Sequence, residues 1–119
     1  MVSLDTHVLV FALAGKLTAT ERRILTAETW SLSAIVLWEL AKLVQLGRLE
    51  LDLDDAETVR ILSALHVWPI DLAISVESTR LDYSGDPADE LIGATAVVHN
   101  VPLLTRDRRM RASKIVPLA

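Results

Sequence analysis

The sequence predicts an α/β fold with three layers, a central parallel sheet covered by helices on both faces. Two observations carry this expectation. Short apolar runs alternate with segments of helical periodicity along the whole chain, and such alternation builds a parallel sheet with helical crossovers. The chain has 119 residues, 51% of them hydrophobic, and no linker, repeat or low-complexity stretch. That is enough for one core and too little for two, so residues 1–119 are expected to form a single domain. With aromatics at only 4%, the core must be aliphatic.

Each element has a local cause. Val2 to Leu4 reads as a short buried strand, and Thr6 to Ala14 as a helix ended by Gly15. Thr18 to Ala27 is a second helix, with Thr18 and Glu21 at capping-box spacing. Thr29 to Leu32 is the next strand, after which Ser33 caps a long helix through Leu46, closed by Gly47. Asp54 or Asp55 starts a helix to about Leu65, Val67 to Ile70 is a strand, and Asp71 caps a helix to about Leu81. In "YSGDPADEL" a loop runs into a helix with Asp86 at the N-cap and Pro87 at the first helical position. Val101 to Thr105 is a further strand, and Lys114 to Pro117 is a candidate for another.

Composition narrows the function classes. Cysteine is absent, which excludes a disulfide scaffold and a thiolate metal site. "HVLVFALAG" resembles a short signal-peptide core, but the charge that precedes it is Asp5 rather than a basic residue. No apolar run approaches the ~18 residues of a membrane span. A cytoplasmic protein without a membrane partner is the expectation. The formal net charge of −4 argues against bulk attraction to nucleic acid, although a metal-dependent nuclease can be acidic because its site is made of carboxylates.

The carboxylates are the informative feature. Residues just past the carboxyl ends of parallel strands gather along one edge of the sheet, so Asp5 after "VSL" and Asp107 after "PLLTR" should meet there. Either one alone is also an ordinary turn residue. Glu39 falls inside a broad apolar arc of its helix, formed by Ile35, Val36, Leu37, Leu40, Leu43, Val44 and Leu46. A charge there is costly unless it is paired or binds a metal. A salt bridge to Lys42, a margin position reaching water, and a ligand role all fit. Within "DPAD", Asp86 is the better cap and Asp89 the better ligand, since Asp89 projects beside Ile92 and Ala96; a capping-box role for Asp89 is the alternative. Acids converging without lysines between them repel one another, and a divalent cation removes that cost. All-oxygen ligands select hard ions, hence Mg²⁺ or Mn²⁺.

Other polar groups are less specific. His7, His66 and His99 are dispersed and share no metal-ligand spacing, His7 alone being close to an acid. "TRDRRMRASK" offers Arg106, Arg108, Arg109 and Arg111 to phosphate, to solvent or to an acidic partner segment. Trp38 lies outside the apolar arc, on the side of Lys42 and Gln45, where a Trp is a typical interface anchor.

The blocks "LDTHVLVFAL", "LSAIVLWELAKLVQLGRL" and "GDPADELIGATAVVHNVPLLTRD", in this order, resemble a PIN domain, in particular the VapC-type ribonuclease toxins of toxin–antitoxin pairs. The resemblance covers essentially the whole chain. It implies a metal-dependent endoribonuclease with its acidic site at Asp5, Glu39, Asp89 and Asp107, the same acids that spacing selects. Supporting polar roles fall to Thr6, Ser33 and Thr105, beside the capping Asp86. It further implies an RNA substrate, a VapB-like antitoxin and a homodimer. The chain departs from the family in the compact stretch between Ile70 and Asp86, and at Glu90, where many relatives carry a basic residue.

Three other readings compete. A phosphoacceptor receiver domain would need an acidic pair after the first strand and a lysine after the last, and this chain has neither. A HAD-type phosphatase would need an aspartate where His7 stands. A catalytically inactive PIN-like interaction scaffold predicts a broken acidic set, whereas the set here is whole.

Overall fold

The computed structural model describes residues 1–119. The first half of the chain runs β1 (Val2–Leu4), α1 (Thr6–Leu13), α2 (Ala19–Ala27), β2 (Trp30–Ser33), α3 (Ala34–Gln45) and α4 (Ala56–Ser63). The second half runs β3 (His66–Trp68), α5 (Leu72–Glu77), α6 (Pro87–His99), β4 (Leu103–Leu104) and α7 (Arg108–Arg111). The strands form one parallel sheet in the order β3-β2-β1-β4. The chain winds outward from β1 to β3 and then returns to the other side of β1 as β4, so the winding direction reverses between β1 and β4. In open α/β sheets that reversal point is where a crevice opens outside the strand ends.

β1 is buried through all its residues, Val2, Ser3 and Leu4 being at most 1% exposed. Around it the core joins Leu32, Leu103 and Leu104 of the neighbouring strands to Val8, Leu9, Val36, Leu40, Ile92 and Met110 of the helices. The helices close as their sequences dictate. Thr18 and Glu21 form the capping box of α2, with Thr18 Oγ1 accepting from the Glu21 amide and Glu21 Oε1 from the Thr18 amide. Gly47, at φ +70°, follows the end of α3 in the left-handed region that glycine occupies without penalty. Asn100 does the same for α6 at φ 51°, a residue whose short polar side chain tolerates that conformation.

Five expectations need correction. β2 starts at Trp30 and runs through Ser33 rather than starting at Thr29. β3 ends at Trp68, because Pro69 has no amide to carry the ladder on to Ile70. α5 ends at Glu77, well short of Leu81, where Ser78 and Thr79 turn their hydroxyls onto the carbonyls of Ser75 and Val76; side chains that compete in this way end helices. β4 keeps only Leu103 and Leu104 of the expected Val101–Thr105 strand. Pro102 offers a carbonyl to Ser3 but no amide, and the Thr105 hydroxyl is spent on aspartates. The segment at Lys114–Pro117 contributes no strand, and one bridge pairs Leu103 with Leu118.

The loop before α6 is fixed by Tyr83, whose hydroxyl donates to the Asp89 carbonyl at 2.8 Å. A Cβ at Gly93 would stand 2.0 Å from that hydroxyl, so this glycine permits the close approach. Gly93→Ala should destabilise the fold by about 1–3 kcal/mol through overpacking. Combining it with Tyr83→Phe should recover part of the loss, as read by thermal melting of the three variants.

Candidate active site

The reversal between β1 and β4 places the acids. Asp5 directly follows β1 and is 4% exposed. Its Oδ1 accepts from the Thr6 amide at 2.8 Å, making it the N-cap of α1. Its Oδ2 accepts from the Thr105 hydroxyl at 2.6 Å, a bond that crosses from the end of β1 to the end of β4. The Thr105 oxygen in turn accepts from the Asp107 amide at 3.0 Å. Asp107 caps α7, its Oδ1 accepting from the amides of Arg109 and Met110. Glu39 enters from α3, and the Thr6 hydroxyl donates to its Oε1 at 2.5 Å. One short Asp5–Thr6 step therefore orients acids from two distant segments.

α6 supplies the remaining acids. Asp86 caps it, Oδ1 accepting from the Asp89 amide at 2.9 Å. No reciprocal bond makes Asp89 a capping-box partner, and its carboxylate stands 3.8 Å from the Arg109 guanidinium. Asp5, Glu39, Asp86, Asp89 and Asp107 line one cavity of about 360 Å³, with His7, Phe11 and Arg106 in its wall. The acids that the sequence singled out are thus brought together, and Asp86 joins them while also serving as a cap. Ser33 is fully buried and caps α3 through the Ile35 amide without lining the cavity.

Several local alternatives are resolved. Glu39 has no salt bridge to Lys42; that ammonium bonds Gln45 at 2.8 Å and lies 5.7 Å from the centre of the Trp38 ring. Of the expected apolar arc, Val36 and Leu40 are buried and Ile35, Leu37, Leu43 and Val44 partly buried, while Leu46, just past the end of α3, is 61% exposed. His99 stacks on Trp68 and His66 meets it edge-on, with ring centres 3.9 and 4.2 Å away, and neither lies in the cavity wall. Two features escaped the sequence. Tyr83 secures the backbone at Asp89, and Arg106 is locked by two bonds to Glu21, 2.6 and 2.8 Å, with its guanidinium 3.9 Å above the Phe11 ring. Glu21 carried a visible capping signal, but a partner 85 positions away leaves no local trace.

The electrostatics follow from the geometry. Burial raises the pKa of Asp5 above the usual carboxylate value, against the opposing pull of its Thr105 and Thr6 hydrogen bonds. Burial likewise raises Glu39, and the charges of Asp86 and Asp5 add to it. Asp89 is pushed up to about 6, first by burial and then by Asp86, Asp5, Asp107 and Glu39. Arg106 holds Glu21 down at about 2. The donor set is all oxygen, which suits a hard divalent cation. Oε2 of Glu39 and Oδ2 of Asp107 are left without protein donors, since the hydrogen bonds fall on Oε1 and Oδ1. No three acidic or histidine side chains form a group close enough to hold a metal ion together.

This fold and acid-lined crevice define a class. The PIN domain model matches residues 2–115, and the chain belongs to that family. Within it, the chain is 35% identical over 100 residues to Ribonuclease VapC22 of Mycobacterium tuberculosis, a span of 81% of this chain and 76% of that protein. The fold is shared with VapBC2 from Rickettsia felis, solved bound to a promoter DNA fragment, at a TM-score of 0.75 and 20% identity over 100% of this chain and 98% of that one. It is also shared with a toxin–antitoxin complex from Klebsiella pneumoniae, at a TM-score of 0.72 and 22% identity over 94% and 91%.

The raised carboxyls make a testable pH dependence. A carboxyl whose pKa is higher in the folded than in the unfolded state binds its proton more tightly when folded. The stability it adds at low pH is therefore lost as pH rises through the folded value. Glu21 works in the opposite sense and at lower pH, between about 2 and 4.5. In EDTA the melting temperature should therefore fall between pH 4.5 and about 6, and Asp89→Asn should flatten that slope.

Proposed function

We propose that this chain is a metal-dependent endoribonuclease, the toxin of a type II, VapBC-like toxin–antitoxin pair. One observation carries the reading: acids from four separate segments, Asp5, Glu39, Asp89 and Asp107, line one cavity at the carboxyl edge of the sheet. An inactive PIN-like scaffold has no need of a complete set. The relative named a ribonuclease and the neighbours solved as toxin–antitoxin complexes support the substrate and the partner.

In this reading Asp5, Glu39, Asp89 and Asp107 would hold Mg²⁺ or Mn²⁺. The bound cation would supply Lewis-acid stabilisation of charge on the RNA phosphodiester during in-line displacement. Thr6 holds Glu39 and Thr105 holds Asp5 in the orientation that presents their remaining lone pairs to the cavity. Asp86 fixes the start of α6, from which Asp89 projects. A basic side chain from a VapB-like antitoxin would pair with the same carboxylates and block the site. Trp38, 56% exposed on α3, would anchor a second copy of the chain.

Asp5→Asn keeps size but removes a ligand charge, so cleavage of single-stranded RNA should fall by ~10²-fold or more. Millimolar Mn²⁺ should raise the melting temperature of the wild-type protein by mass action, and of Asp5→Asn much less. Full activity of the purified variant, or a melting curve indifferent to Mn²⁺, would overturn the assignment. Light scattering should give twice the chain mass for the wild type and a shift towards monomer for Trp38→Ala.

A further inference from the structure

Three arginines on α7 have separate fates. Arg109 turns to the loop before α6, donating to the Ser84 carbonyl at 2.7 Å. Arg108 and Arg111 are three apart on the helix, hence on one side of it, and line a second cavity of about 510 Å³ together with Thr18, Thr20 and Arg106. Neither Arg108 nor Arg111 takes part in an ion pair. The acidic side chain in that wall, Glu21, is already committed to Arg106. Arg111 has a single long bond, 3.3 Å to the Thr105 carbonyl.

Arg106 lines both cavities. Its Nε and Nη2 are held by Glu21, Nη2 also reaches the Lys16 carbonyl at 3.3 Å, and the guanidinium is stacked on Phe11, so it forms a fixed, ion-paired partition between the two. Beyond Arg106, the second cavity is lined by two guanidiniums without ion-pair partners and by two threonines. The whole chain is acidic, at −4, so attraction for a polyanion has to be local. Planar guanidiniums are the side chains that grip phosphate in two-point fashion.

We propose that this second cavity is a phosphate subsite for the RNA strand, with Arg108 and Arg111 holding a phosphodiester next to the one at the acids. The proposal rests on the nuclease reading, and its test separates the two. Binding of a short fluorescent single-stranded RNA is measured in EDTA across a salt series, and its cleavage in Mn²⁺. Arg108→Ala should weaken binding about tenfold at low salt and shallow the slope of log K against log salt by about 0.7. Arg111→Gln is the second variant, its fold checked by melting because of the Thr105 contact. In cleavage the cost should fall on KM more than on kcat. Arg48→Ala removes the same charge elsewhere and should move neither quantity.

Wild-type affinity and salt slope in both variants, with cleavage intact, would overturn the subsite and leave the nuclease reading standing. RNA binding that depends on these arginines in a protein that cuts no RNA would keep the subsite and overturn the nuclease reading. Loss of antitoxin binding alone, with RNA binding unchanged, would assign the cavity to an acidic protein segment and overturn the proposal.

Discussion

Asp5 is almost wholly withdrawn from water at the end of the central strand, and a carboxylate in that position is tolerated only with its hydrogen-bonding capacity met. The Thr6 amide and the Thr105 hydroxyl meet it. Thr105 can do so only if β4 lies beside β1, and Thr6 reaches Glu39 only if α3 packs near α1. The crossing order of the sheet and the register of α3 are thus tied to one buried charge.

The cavity is also built from helix starts. Asp5, Asp86 and Asp107 are the N-caps of α1, α6 and α7. Each spends one oxygen on backbone amides at a helix end, where the dipole is positive and favours an anion. That is how several carboxylates can share a small space before any cation arrives. The arrangement still leaves residual repulsion, visible in the upward shift of Asp89 caused in part by every other acid of the set.

What the sequence disclosed follows from the range of each signal. Caps such as Thr18, Ser33, Asp71 and Asp86 are decided within a few residues, and the structure has all of them as read. Asp5 and Asp107 were legible because parallel strands send their ends to one edge. Strand lengths were less legible: Pro69 and Pro102 interrupt runs whose hydrophobicity continues past them. The Arg106–Glu21 pair and the Tyr83–Gly93 approach depend on contacts between distant segments, so no local pattern announces them. Glu39 lies between these cases, its anomaly visible on the helix and its partner Thr6 not.

The shortness of the outer strands has a consequence of its own. β3 spans three residues and stops against a proline, while β4 spans two and has its far side bridged by Leu118. Neither rim offers a run of unpaired amides and carbonyls long enough to template a foreign strand, so edge-to-edge aggregation finds little purchase. The apolar surface left exposed therefore lies on helices such as α3, with Trp38, where side-chain shape rather than backbone pairing decides which neighbour fits.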